Sequence, residues 1–312
     1  MHLVVCPKAM EHVAGYDTVR LQAWVSDPDA VVLRLASMKE TYNHEYDSWS
    51  FRGMIGSLRA TVRFDKLFLE GSWPTFAGRT SLDHEATVCA VEAMEDTLGL
   101  SLREADVWRL DMCGDVSTTQ APRAYFPFLL HAPRYVRVPW SKTGVRYQLG
   151  QRHLVFYDRR ARLEAQKRPI PETYGDGPVL RYEMQLRKQA RRQLKLTSLT
   201  VGDLLDIDTR LYIINRWHDE YLGIEKRREW RVHDDVPSMK RSMACHGIHA
   251  YGIERLYDEL RAVRDAGVLT NSQYKNQRRW VRETASHPDH TLDAPCVREL
   301  DAAIGALAQR GA

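Results

Sequence analysis

In several separate segments between Ser57 and Arg187 apolar side chains recur at every second position, and from about Thr197 onward they recur at helical spacing. The two periods demand different elements, because strand side chains alternate between faces while helical ones return every third or fourth residue. SLRATVRF (Ser57–Phe64) puts Leu58, Ala60, Val62 and Phe64 on one face, and LFLEGS follows after Asp65-Lys66 as a hairpin partner. VWRLDMC (Val107–Cys113) points Trp108, Leu110 and Met112 one way and Arg109, Asp111 and Cys113 the other. VLRYEMQLR (Val179–Arg187) sets Leu180, Tyr182, Met184 and Leu186 against Arg181, Glu183, Gln185 and Arg187. RYVRVPW, VRYQLG and HLVFYD are further strands, with a turn at Lys142–Gly144. A helix is expected over Leu82–Leu98, capped by Ser81 or Asp83 and ended by Gly99. QAPRAYFPFLLHAP, broken by three prolines, is a short helix or a loop; KRPIPETYGDGP is a loop, and KQARRQLKL a basic helical extension. No internal repeat is visible in the residues.

Beyond Thr197 three helical segments follow: SLTVGDLLDIDTRLYIINRWHDEYLG, HAYGIERLYDELRAVRDAG and SQYKNQRRWVRETAS. KRREWRVHDDVPSMKR is the linker between the first two. The expected fold class is α+β: a mainly antiparallel sheet core with flanking helices over residues 1–196, then a mostly helical C-terminal part over 197–312.

Charge is distributed unevenly. The formal net charge is +4, yet Arg134–Lys195 holds 16 Lys/Arg against 5 Asp/Glu, so that stretch carries +11 and the remainder −7. A concentrated basic stretch fits a polyanionic partner, most often nucleic acid; counter-charges supplied from elsewhere in the fold are the alternative. No run approaches the ~20 apolar residues of a membrane span, so no membrane partner is expected. MHLVVCPKAMEHVAGYD has too short an apolar core for a signal peptide. Five cysteines (Cys6, Cys89, Cys113, Cys245, Cys296) show no paired spacing and fit reduced thiols in a cytosol.

The two strands VWRLDMC and VLRYEMQLR share a design: one apolar face, and a carboxylate beside an arginine on the other. One such carboxylate is ordinarily solvent-facing or salt-bridged. Two of them, with HLVFYD ending in Tyr157 against Arg159, Arg160 and Arg162, suggest more. Hard divalent metals take carboxylate oxygens, and a positioned hydroxyl attacks a phosphate whose charge they withdraw. A phenol near pKa 10 needs neighbouring positive charge to act as a nucleophile, which Arg159 and Arg160 would supply. A tyrosine at a strand end also has an ordinary reading, as a good strand residue with a wet polar tip.

Four segments carry a family resemblance: LEGSWPTFAGRTSL, VWRLDMCGDV, RHLVFYDRRARLE and VLRYEMQLR, followed by YDELRAVRDAGVLTNSQYKNQRRWVRE. In order and spacing these resemble the replication initiators of filamentous phages and related plasmids, the gene II/X family of rolling-circle nicking enzymes. The likeness runs from about residue 57 to 285. It implies a nuclease core in which Tyr157 is the nicking nucleophile and Asp111, Glu183 and Glu164 hold Mg²⁺ or Mn²⁺. It also implies single-stranded or supercoiled origin DNA as substrate, a host helicase and polymerase as partners, and a bacterial cytosol as location. The chain departs from the family at Thr75, where Lys is frequent, and at Arg79-Thr80; it also has no His-x-His pair.

DNA contacts are expected from Arg109, Arg159, Arg160, Arg181 and Arg187 on the basic strands, and from Lys275, Arg278 and Arg279 on a C-terminal helix. Residues 253–266 and 272–285 could form a helix-turn-helix or an αα-hairpin packed for structure. CHGIH (Cys245–His249) and HPDH (His287–His290) carry zinc-ligand residue types without a second half at zinc-finger spacing. Asp158 shares parity with Leu154 and Phe156, so it turns away from Tyr157 or caps the strand end. The rival functions are a non-catalytic DNA-binding replication protein and a metal-dependent nuclease that uses water as nucleophile.

Overall fold

The alternating segments assemble into a ten-stranded antiparallel sheet in the order β2-β3-β4-β5-β1-β6-β10-β9-β8-β7. The structure is a computed structural model and describes residues 13–43, 48–140, 143–230, 235–286 and 291–311. The strands are β1 (Gly15–Trp24), β2 (Ala36–Asn43), β3 (Ser48–Ile55), β4 (Leu58–Arg63), β5 (Lys66–Ser72), β6 (Asp106–Ser117), β7 (Val136–Pro139), β8 (Gly144–Leu149), β9 (Arg152–Asp158) and β10 (Val179–Leu186). Between them lie α1 (Pro28–Val32), α2 (Trp73–Phe76), α3 (His84–Leu98) and α4 (Arg159–Ala165); α5 (Ala190–Leu194), α6 (Val201–Leu205) and α7 (Ile207–Leu222) follow β10. QAPRAYFPFLLHAP contains 3₁₀ turns at Pro122–Ala124 and Phe126–Phe128.

The strand order contains a repeat. β1 to β5 followed by α3 has the same connectivity as β6 to β10 followed by α5–α7, and the halves meet at the antiparallel β1–β6 pair. The absence of a visible repeat in the residues stands beside this repeat of topology. The repetition lies in connectivity, which alternation and turn positions encode without residue identity.

The chain divides into two compact units. The first comprises Met1–Phe126, His131–Ile224 and Leu300–Ala312; the second comprises Pro127–Leu130 and Glu225–Glu299. The helices α6 and α7 therefore stay with the sheet.

In the first unit one sheet face is apolar and carries helices. Tyr182 of β10 stacks on Phe156 of β9 at 4.6 Å and on Trp217 of α7 at 4.9 Å, and its hydroxyl donates to the Trp217 carbonyl at 3.0 Å. Gly114 permits this approach: a Cβ there would stand 2.9 Å from Leu307 and 3.1 Å from Trp217. Caps set α3, where Asp83 accepts from the Ala86 amide at 2.8 Å and Gly99 ends the helix at φ +65°. Arg210 of α7 is fully buried. Its guanidinium donates to the carbonyls of Ala14, Leu82 and Gly311 at 3.2, 3.0 and 3.2 Å, and lies 5.2 Å from the Tyr16 ring centre.

The second unit contains β11 (Arg228–Trp230) paired with β12 (Thr291–Asp293), α8 (Val236–Tyr251), α9 (Ile253–Asp265) and α10 (Asn271–Ser286); α11 (Pro295–Gly311) begins in it. Part of the expected linker, from Val236 onward, is the first turn of α8, and Gly252 at φ +98° separates α8 from α9 where one continuous helix was expected. Proline at an N-terminal helix position and an Asp235 cap explain why a polar, proline-containing run starts a helix. Ile248, Val281 and Ala285 form its core with Ile253, Leu256, Tyr257 and Leu260 packed against them. Among the described residues no helix is long and apolar enough to cross a membrane.

Candidate active site

Strand parity decides which side chains meet. β10 pairs with β6 so that Gln185 faces Asp111, Glu183 faces Cys113 and Arg181 faces Asp115. On its other side β10 pairs with β9, with Tyr157 opposite Arg181 and His153 opposite Gln185. Arg109, Asp111, Asp115, Arg181, Glu183 and Tyr157 thus share the face away from the apolar core.

That face is not solvated at its centre. Arg181 is 1 % exposed, Asp111 2 %, Tyr157 3 % and Glu183 5 %, so their charges must be paired within the fold. Arg181 forks onto Asp115 at 2.5 and 2.6 Å, and the Tyr174 hydroxyl donates to the same carboxylate at 2.5 Å. Arg181 also lies 3.5 Å from Asp17, which accepts from the Ser72 hydroxyl at 2.7 Å, and 3.8 Å from Glu183. Arg109 forks onto Asp111 at 3.1 and 2.6 Å and reaches Glu70 at 3.2 Å.

The Tyr157 hydroxyl donates to Glu183 Oε1 at 2.5 Å, while Gln185 donates to Oε2 at 2.8 Å. Trp140 packs edge-on against the Tyr157 ring at 4.9 Å, and the Arg162 guanidinium lies 4.8 Å from Trp140 and 5.6 Å from Tyr157. Burial, then the Glu183 charge, push the phenol well above its ordinary value, and Arg181 and Arg159 only partly oppose them. Adjacent arginines therefore do not make Tyr157 acidic. Its proton is held by a carboxylate that can accept it. Burial pushes Asp111 up to about 7 despite the Arg109 fork. Burial also acts upward on Asp115, but Arg181 overrides it and holds that carboxyl below its usual range.

The remaining expected residues lie in different settings. Asp158 caps α4 by accepting from the Ala161 amide at 3.0 Å. Glu164 is exposed on α4, and the structure does not bring it to Asp111 and Glu183. Glu164 lies past the end of the strand that carries Tyr157, in a helix whose buried residue is Leu163. Arg159 is half-buried and its Nε meets no hydrogen-bond partner among the described residues, whereas Arg160 donates to the Gly175 and Gly177 carbonyls. Arg187 is exposed just past β10, and Lys275, Arg278 and Arg279 are exposed on α10, with Arg278 over the Tyr257 ring at 4.8 Å. Cys245 donates to the Ala285 carbonyl at 3.7 Å, and His249 lies between that carbonyl and Glu225 at 2.9 and 3.1 Å. His287–His290 lies outside the described residues. The departing loop is engaged too: Thr75 accepts from Arg168 at 3.1 Å, and the Thr80 carbonyl is 3.5 Å from Arg181.

Among the described residues no group of three His, Cys, Asp or Glu side chains is disposed to hold a metal ion. The three-carboxylate set does not fit this arrangement. Both Asp111 oxygens are taken by Arg109, both Glu183 oxygens by Tyr157 and Gln185, and Glu164 is on the surface. A cation would have to displace those donors first.

Asp17 and Trp140 belong to the site without having been anticipated. Asp17 sits 164 residues from Arg181, and no local pattern marks so distant a partner. GYDTVRLQAW does alternate, and that would have marked β1 as a strand.

No family model matches the chain, and no curated protein matches it. Among solved structures, Methanococcus jannaschii TBP is similar over 60 % of this chain and 95 % of its own, with 13 % identity and a TM-score of 0.30.

Proposed function

We propose that this chain cuts and rejoins single-stranded DNA through a phosphotyrosine, in the manner of the rolling-circle initiators that its motifs resemble. The observation that carries the reading is the 2.5 Å hydrogen bond from Tyr157 to Glu183: a hydroxyl nucleophile and a proton acceptor in direct contact, with Arg181 3.8 Å from that carboxylate and Arg162 5.6 Å from the phenol ring. Glu183 takes the phenolic proton as the Tyr157 oxygen attacks phosphorus. The bond from phosphorus to the 3′ oxygen breaks, and that oxygen leaves as a hydroxyl, so the net proton moves from Tyr157 to the DNA. The 5′-phosphate stays on Tyr157, and attack by a 3′-hydroxyl reverses the step. Arg181 and Arg159 would offset the charge gathering on the phosphoryl oxygens. Tyr157 is buried, with the Trp140 ring packed edge-on against it, so a phosphate reaches the hydroxyl only once part of its cover has moved aside. Origin DNA, a host helicase and a host polymerase would be the partners in a bacterial cytosol.

The same burial favours a second reading, a DNA-binding protein in which Tyr157 only completes a buried polar network. Incubation with labelled single-stranded DNA, with and without Mn²⁺, and a denaturing gel separates them. A covalent adduct that Tyr157→Phe abolishes supports the nicking reading. No adduct under any condition, with binding intact, leaves the binding protein; cleavage without an adduct points to water as the nucleophile.

A further inference from the structure

A row of cations crosses the sheet on the face that carries Tyr157, but far from it. The pairings place Lys39 opposite Arg52, Arg59 opposite Glu70, Glu70 opposite Arg20, and Arg20 opposite Arg109. Arg187 stands one step beyond the Leu186–Leu110 pair, at the level of Arg109. The row runs from β2 to β10 through adjacent strands, and at about 4.8 Å per strand it extends about 29 Å.

Two features separate this row from an ordinary solvated face. Like charges stand directly opposite each other at Lys39–Arg52 and Arg20–Arg109, an arrangement that weakens strand pairing. Arg109 is held by Asp111 and by Glu70 at 3.2 Å, and Glu70 is shared with Arg59 at 3.7 Å, while Lys39, Arg52 and Arg20 are exposed and form no ion pair among the described residues. Phe68, half-buried on β5, lies on the same face one alternation from Glu70.

We propose that this row is a track for a single-stranded DNA flank, separate from the cleavage site. The inference rests on the DNA-processing reading for its ligand but not on Tyr157 chemistry. A linear polyanion matches spaced cations on successive strands, and Phe68 offers a base a ring to stack on. Arg187 lies six residues along β10 from Arg181, the partner of Tyr157, or about 20 Å. About six stacked nucleotides span that distance. The track therefore holds DNA beside the scissile bond rather than at it, so it sets affinity and site length and not chemistry.

The test is fluorescence anisotropy of the full chain with a labelled 25-mer of oligo-dT across a salt series. The triple variant Arg20→Gln, Lys39→Gln, Arg52→Gln should bind at least tenfold more weakly, with a salt slope shallower by about two units. Its melting temperature should hold or rise, since like-charge pairs are relieved. Arg20→Lys with Arg52→Lys, which keeps the charge, should bind close to wild type and guards against misfolding. An unchanged slope and affinity in a folded triple variant overturns the track. So does a triple variant that loses only binding to vesicles of anionic lipid. The adduct gel reports independently: a wild type that forms no adduct but whose triple variant loses affinity sinks the nicking reading and leaves the track standing.

Discussion

Replacing Arg181 with methionine keeps the stem of a strand residue that is 1 % exposed and removes the guanidinium that forks onto Asp115. Asp115 is then left at 4 % exposure with the Tyr174 hydroxyl as its remaining donor. Breaking one side of a buried ion pair costs about 3–5 kcal/mol, because the other charge stays buried. With a urea m-value of about 3 kcal/mol per molar, the first unit's midpoint should fall by about 1–2 M at pH 7. The pH dependence follows from the direction of the Asp115 shift. In the wild type Arg181 holds the carboxyl low, so its stabilisation is complete above the unfolded value near 3.9 and is lost only as pH falls through the lower folded value. In the variant only the weaker effects of Arg159 and the Tyr174 hydrogen bond still oppose burial, so the folded pKa should rise above the unfolded one. The deficit should therefore be largest near pH 8 and shrink toward pH 4, as both states take up the proton. Urea melts followed by circular dichroism at pH 4.5, 6 and 8 would show it. A midpoint shift below about 0.3 M at pH 8, or a deficit that does not vary with pH, would refute the buried-pair reasoning.

Tyr157→Phe should cost about 1–3 kcal/mol, since it leaves the buried Glu183 one donor short, and should keep DNA binding while removing any adduct on a denaturing gel. Glu164→Gln, on the exposed face of α4, should change stability by less than about 0.5 kcal/mol and leave the adduct intact, whereas Glu183→Gln should abolish it. Asp111 titrates near 7 when folded, above its unfolded value, so its contribution to stability is complete below about pH 4 and is lost as pH rises through 7. Asp111→Asn should flatten that part of the stability profile in denaturant melts. Gly114→Ala should cost about 1–3 kcal/mol, read as a lowered melting temperature, because its methyl would press on Leu307 and Trp217.

What the sequence displayed was alternation, and alternation is local. Leu58, Ala60 and Val62 announce β4, and Leu180 to Leu186 announce β10, because each strand has one apolar face. The α+β class and the shared parity of Asp111 and Glu183 with the polar faces of their strands follow from the same pattern, whereas β9 is buried on both faces and only its register places Tyr157 with them. What it hid was cover. Arg181, Tyr157 and Asp115 look like solvent-facing residues until Thr80, Trp140 and Tyr174 reach them, one each, from other positions in the chain. The repeat was invisible because a strand order leaves no residue signature, and α8 was invisible because its entrance is polar and holds a proline.

Arg210 also fixes an order of events during synthesis. Ala14 and Leu82, two of its carbonyl partners, have left the ribosome before it does, but Gly311 follows 101 residues later. At about 5–20 residues per second that is a wait of about 5–20 s. Throughout that interval residues 225–299 of the second unit are being made, while the apolar sheet face around Gly114 lacks Leu307 of the returning helix. A nascent chain stalled within residues 225–299 thus presents a nearly finished sheet with part of its greasy side open, a target for chaperones and a site for aggregation. The first unit is begun first and closed last.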